Sequence, residues 1–140
     1  AMPIKVLGLL HSGVRIPPGD DDVTKARAVY GDLLGLEVDG ERPHIPEIPG
    51  FWVNIHAGDR GQQIHVFGAD GQSPRARSAT QDPTRPHLAF AVEDIDEAKA
   101  ELTSRGIEFW IFESLTGAAS LQVFFEDGLG NMIELQQPPS

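Results

Sequence analysis

A chain of 140 residues matches one ordinary domain and should bury roughly two-thirds of its unfolded surface, enough for a true core. Its 40% hydrophobic and 23% charged residues exclude a disordered chain, and 11 Lys and Arg against 21 Asp and Glu, a formal net charge of -10, exclude the basic stripe that nucleic-acid binding needs. With no cysteine there is no disulfide, no thiolate nucleophile and no Cys-based zinc motif, so any metal must be held by His, Asp or Glu.

Ile4 to Ile16 reads as a strand, and Asp22 to Leu34 as a helix carrying Ala26, Val29, Tyr30, Leu33 and Leu34 near helical spacing, closed by Gly35. The acidic run Asp20-Asp21-Asp22 reads as an N-terminal cap with favourable charge for the helix dipole. Strands then fit Leu36 to Glu41, Phe51 to Ala57 and Gln62 to Gly68, with Gly58-Asp59-Arg60-Gly61 as a hairpin turn. From Gly68 to Arg85 no hydrophobic period is seen among Gly, Pro, Ser, Asp and Thr, which reads as a surface connection.

The same order then recurs. Pro86 to Val92 is a strand; Asp94 to Arg105 is a helix with Ile95, Ala98 and Leu102 on one face, Gly106 closing it and Asp94 with Glu97 resembling a capping box. Ile107 to Phe112, Ser120 to Glu126 and Asn131 to Gln136 fit strands, with Asp127-Gly128-Leu129-Gly130 as the last turn. Each half reads βαβββ, giving one α+β domain with module one at 4–68, a linker at 69–85 and module two at 86–137.

The duplication places chemically unusual residues in equivalent positions. Aligning the first strands puts His11 on His87, and aligning the last puts His65 on Glu134. Side chains alternate along a strand, so His87 opposes Leu88 and Phe90, His65 opposes Ile64 and Val66, and Glu134 opposes Ile133 and Leu135; each polar group points away from the helix-facing core. Two such modules in a curved eight-stranded half-barrel, helices outside, would gather His11, His65, His87 and Glu134 on the concave side around one divalent ion. His65 is either the fourth ligand or a cavity-lining acid or base. Trp52 and Asn54 on one strand, and Gln122 and Phe124 on another, are candidates to line the wall against a small-molecule substrate. His44, in a Pro-rich stretch, and His56, with no counterpart in the other half, read as loop or wall residues.

These residues resemble the vicinal oxygen chelate superfamily, which includes glyoxalase I, methylmalonyl-CoA epimerase, extradiol dioxygenases and bleomycin resistance proteins. Val29-Tyr30-Gly31-Asp32-Leu33-Leu34-Gly35-Leu36 is similar to the family's F-Y-x-x-x-L-G-L helix end, and Pro86-His87-Leu88-Ala89-Phe90-Ala91-Val92-Glu93-Asp94 to its H-x-A-F-x-V-x-D strand. Phe124 to Leu135 is similar to F-x-x-D-P-D-G-N-x-I-E-L, with Gly128-Leu129 in place of Pro-Asp. At the position of His65, glyoxalase I usually carries Glu and the epimerase Gln.

The resemblance implies a glyoxalase-like lyase or isomerase that stabilises an enolate with one bound Zn, Ni, Mn, Co or Fe ion, Glu134 or His65 serving as base. Its alternatives are an Fe(II)-dependent ring-cleaving dioxygenase using His11, His87 and Glu134, and a non-catalytic antibiotic-binding resistance protein. It also implies a homodimer. The first residues carry no apolar core with a cleavage site, and no run reaches the ~18 apolar residues of a membrane span, so a cytoplasmic protein with no membrane partner is expected.

Overall fold

The computed structural model describes residues 2–113, 115 and 121–139; Ser120, where the sequence reading begins a strand, lies outside them. The architecture is α+β, with eight strands and two α-helices among the described residues. By internal contacts the chain forms two compact units, one of His11–Pro86 and one of Ala1–Leu10 with His87–Ser140. Strand β1 (Val6–Ile16) is continuous through the point where one ends and the other begins.

In the unit His11–Pro86 the strands lie in the order β2-β3-β4-β1, with β2 at Glu37–Val38, β3 at Gly50–His56 and β4 at Asp59–Gly68. The parallel β1–β4 pairing sets His11 opposite Gln63 and Gly13 opposite His65. The antiparallel β3–β4 pairing sets Trp52 opposite His65 and Asn54 opposite Gln63. Phe51, Val53 and Val66, from the alternate positions, pack with Ala26, Val23 and Tyr30 of the helical segment, so the polar members of β3 and β4 are directed to the other face.

Helix α1 (Asp20–Arg27) differs from the sequence reading at both ends. Gly19 is its N-cap and makes no side-chain cap, so Asp20, Asp21 and Asp22 occupy the first turn, where their charge still favours the dipole. The helix continues as a π-helix over Ala28–Leu33, in which Leu34 N–H donates to the Val29 carbonyl, five residues back, at 3.0 Å. The wider turn rotates the apolar series off the core, leaving Leu33 77% exposed with Val29 and Leu34 also outside. The following hairpin is tighter than expected: Ala57 and Gly58 make the whole turn, Gly58 at φ 76°, and Asp59, Arg60 and Gly61 belong to β4. Strand β2 covers two residues of the expected Leu36–Glu41: Asp39 N–H still bonds the Trp52 carbonyl at 2.8 Å, and beyond it the chain turns, the Asp39 side chain accepting the Glu41 N–H at 2.9 Å.

The connection after β4 is more than a surface link. Asp82, 2% exposed, accepts from the Ser73 N–H and hydroxyl at 2.8 and 2.7 Å and from the Thr84 N–H and hydroxyl at 3.0 and 2.8 Å. A polar cluster this complete needs no water and folds the segment onto itself.

In the other unit, the start of β1 neighbours β5 (His87–Val92), followed by β8 (Met132–Gln136), β7 (Leu121–Glu126) and β6 (Phe109–Glu113). Glu93 N–H donates to the Lys5 carbonyl at 3.0 Å beside that pairing. Helix α2 (Ile95–Ser104) is capped by Asp94, which accepts from the Asp96 and Glu97 amides at 2.9 and 3.0 Å. It ends with Gly106 at φ 70°, where Gly106 N–H bonds Thr103 and Ile107 N–H bonds Leu102, the paired bonds of a Schellman stop. Ala98 and Leu102 pack on Val92, Val123 and Leu135, while Phe112, Phe124 and Met132 form a separate cluster from the opposite strand positions. Leu88, expected against α2, is 44% exposed instead. No helix among the described residues is long and apolar enough to cross a membrane.

Candidate functional site

Strand alternation brings His11 and His65 to the same place in the unit His11–Pro86. Their rings stack, centroids 3.8 Å apart and planes at 14°, and Trp52 stacks on His65 at 4.0 Å and 4°. At its edge, His65 Nε2 lies 2.8 Å from Gln63 Oε1. Gln63 Nε2 donates to Asp39 Oδ2 and to Asn54 Oδ1, both at 2.8 Å, and Asn54 Nδ2 donates to Glu37 Oε1 at 2.9 Å. Arg60 Nε closes the cluster on Asp39 Oδ2 at 2.6 Å. Burial works against the Asp39 charge, yet bonds from the Glu41 amide, Arg60 and Gln63 hold its carboxyl below the usual aspartate range. The Gly58 amide and then Asn54 lower Glu37 likewise.

In the other unit, β5 and β8 run parallel with Ala89 opposite Glu134, so His87 and Glu134 are diagonal neighbours on one face. His87 Nε2 is 3.0 Å from Glu134 Oε1, and Gln136 Nε2 donates to Glu134 Oε2. Phe124 meets the His87 ring edge-on at 5.7 Å and is flanked by Trp110 and Phe112.

His87 and Glu134 are buried together in this unit, and His11, also buried, continues β1 directly from Leu10. Two nitrogens and a carboxylate oxygen are a suitable donor set for a borderline divalent ion, whose neighbouring ligands at bonds of ~2.0 to 2.2 Å stand ~3.0 to 3.6 Å apart. The 3.0 Å separation of His87 and Glu134 suits that spacing. His65 is held beside His11 by their stack. His44 and His56 are exposed and take no part.

Of the four residues considered for a substrate wall, Trp52 and Gln122 carry the clearest sign. Trp52 Nε1 and both polar atoms of the Gln122 side chain are buried with no hydrogen-bond partner among the described residues, and such groups cost about 1 to 3 kcal/mol each. Asn54 is committed to Glu37 and Gln63, and Phe124 to its aromatic neighbours. Sequence reasoning gave no role to Gln63, Gln136, Asp39 or Arg60. Gln63 and Gln136 had a legible signal, a polar residue two places from a candidate ligand on the same strand face; Asp39 had none, because its partner Gln63 is 24 positions away.

A duplicated βαβββ order with all eight strands in mixed parallel and antiparallel pairing defines a class of small α+β domains. The chain belongs to the Glyoxalase/Bleomycin resistance protein/Dioxygenase superfamily, whose family model matches residues 19–135. It is 30% identical over 142 residues to the mitochondrial methylmalonyl-CoA epimerase of Bos taurus, covering 98% of this chain and 78% of that protein. The crystal structure of methylmalonyl-CoA epimerase from Mycobacterium tuberculosis superposes with a TM-score of 0.70 at 25% identity, covering 100% of this chain and 93% of the other. A methylmalonyl-CoA epimerase in complex with methylmalonyl-CoA and NH4+ shares the fold at a TM-score of 0.57 and 22% identity, over 96% of this chain and 100% of that one.

Proposed function

We propose that this chain is a metal-dependent epimerase of a CoA thioester bearing an acidic C–H beside the thioester carbonyl, with methylmalonyl-CoA the first candidate. The observation that carries this reading is the 30% identity to the bovine epimerase along 98% of the chain, supported by the donor group of His11, His87 and Glu134.

In this reading His11, His87 and Glu134 hold the metal. A bound divalent ion supplies Lewis-acid stabilisation of the negative charge that grows on the carbonyl oxygen as the neighbouring proton leaves. His65 takes that proton: the C–H bond breaks, its electron pair enters the enolate, and the proton sits on the imidazole until it is returned to carbon. Turning of the planar enolate, so that its other face meets His65 before the proton returns, inverts the centre. Trp52 holds the His65 ring flat, and the indole N–H of Trp52 and the amide of Gln122 meet polar groups of the substrate. Glu134 stays a ligand, held by Gln136.

The test is to incubate one epimer of methylmalonyl-CoA with metal-loaded protein in deuterated water and follow the C2 proton by NMR. Loss of that signal with formation of the second epimer, abolished in His65→Ala, is expected. No exchange in the parent, or oxygen uptake with a catechol in its place, contradicts the proposal.

A further inference from the structure

We infer that Gln63, oriented by Asp39, is a positioning residue that fixes His65 as the Nε2–H tautomer and makes Nδ1 its working nitrogen. The inference rests on the epimerase reading only for what Nδ1 does; the tautomer itself follows from the hydrogen bonds.

The polarity of the cluster is set by two groups that only accept. Glu37 and Asp39 are ionised carboxylates, each held so by its hydrogen bonds. Glu37 Oε1 takes the Asn54 amide N–H at 2.9 Å, which turns Asn54 Oδ1 toward Gln63. Asp39 Oδ2 and Asn54 Oδ1 then both face Gln63 Nε2 at 2.8 Å and take up its two N–H groups. Reversing the Gln63 amide would set its oxygen against a carboxylate and a carbonyl oxygen together. Gln63 Oε1 is therefore an acceptor facing His65 Nε2 at 2.8 Å, and that nitrogen must carry the proton. A neutral imidazole has a single N–H, so the lone pair resides on Nδ1.

All four members, Asp39, Asn54, Gln63 and His65, are buried, so water does not compete for these bonds. The ring is also clamped on both faces, by His11 at 3.8 Å and Trp52 at 4.0 Å, which leaves rotation in its own plane for Gln63 to prevent. Whether His65 takes a proton or donates to a cation, the same nitrogen is presented; outer groups of this kind commonly contribute 10- to 100-fold to activity or metal affinity.

The test is long-range proton–nitrogen NMR on the uniformly labelled full chain, first metal-free and then zinc-loaded, with the His65 signals assigned by comparison with His65→Ala. An Nε2–H signature with a pyridine-like Nδ1 is expected in the metal-free parent. Gln63→Leu should show a mixture of tautomers and, where exchange of the substrate proton is measured, a kcat lower by roughly 10- to 100-fold with KM within about twofold. An Nδ1–H form in the parent, or an unchanged Nε2–H form in Gln63→Leu, overturns the inference. Should Gln63→Leu not fold, the tautomer read in the parent decides it. A chain with no epimerase activity but the expected tautomers would refute the proposed reaction and leave the positioning intact.

Discussion

Trp52 lies flat on His65, with planes 4° from parallel, because β3 and β4 set the two residues opposite one another on the polar face of the sheet. Directly paired strand residues on one face stand close enough for such contact, and an aromatic pair contributes about 0.5 to 1.5 kcal/mol beyond the area it buries.

Trp52→Phe keeps a ring over His65 and should lower stability by about 1 kcal/mol, whereas Trp52→Ala should cost about 3 to 5 kcal/mol by opening a cavity beside it. Urea denaturation of the two variants checks this. Equal losses would mean that bulk, and not the stacked ring, matters at this position.

Gln122 has a buried amide with neither end hydrogen-bonded among the described residues. Gln122→Met, of similar length and apolar, should raise the stability of the ligand-free protein by about 1 kcal/mol, since replacing an unsatisfied polar group removes its desolvation cost. The same change should raise KM for the thioester. Thermal unfolding and steady-state kinetics on one preparation give both; a destabilised variant with unaltered KM would remove Gln122 from the site.

The Asp82 cluster links a carboxylate to pH. Burial alone pushes this carboxyl up, but the hydrogen bonds from Ser73 and Thr84 outweigh it and hold its pKa below the ordinary aspartate value. The folded chain then binds fewer protons here than the unfolded one. Stability from this source is complete above the unfolded value of ~3.9 and is lost as pH falls through the lower folded value. Asp82→Ala should cost about 2 to 4 kcal/mol near neutral pH, through four orphaned donors and the loss of Arg15 pairing at 3.6 Å, and its stability should fall less steeply below about pH 4 than the parent's. Urea midpoints across that range decide the matter.

The sequence carries the duplication openly. His11 and His87 lie on the first strand of each half, His65 and Glu134 on the last, and the alternation of strand side chains separates these residues from Val66, Leu135 and the other core members. What it conceals is of two kinds. One is a shift of a single hydrogen bond: the π-turn at Val29–Leu34 cannot be told from an α-turn by composition, yet it moves Leu33 into solvent. The other is a contact between distant positions, as in Asp39 with Gln63 or Ser73 with Asp82, where polar residues in apparent loops become buried partners.

That difference predicts opposite outcomes for two leucines that both lie in helical patterns. Leu33→Ala, at an exposed position, should change stability by no more than about 0.5 kcal/mol, while Leu102→Ala, 2% exposed against Val92 and Val123, should cost about 2 to 5 kcal/mol. Calorimetry of the pair tests the placement of the π-turn, and a large loss at Leu33 would argue for a regular α-helix there.

The central claim is that His11, His87 and Glu134 hold one divalent ion, and elemental analysis of protein purified without chelators addresses it most directly. Near-stoichiometric metal in the parent, lost in both His87→Ala and Glu134→Ala while each variant remains folded, is the predicted result. Equal trace metal in all three proteins would contradict it.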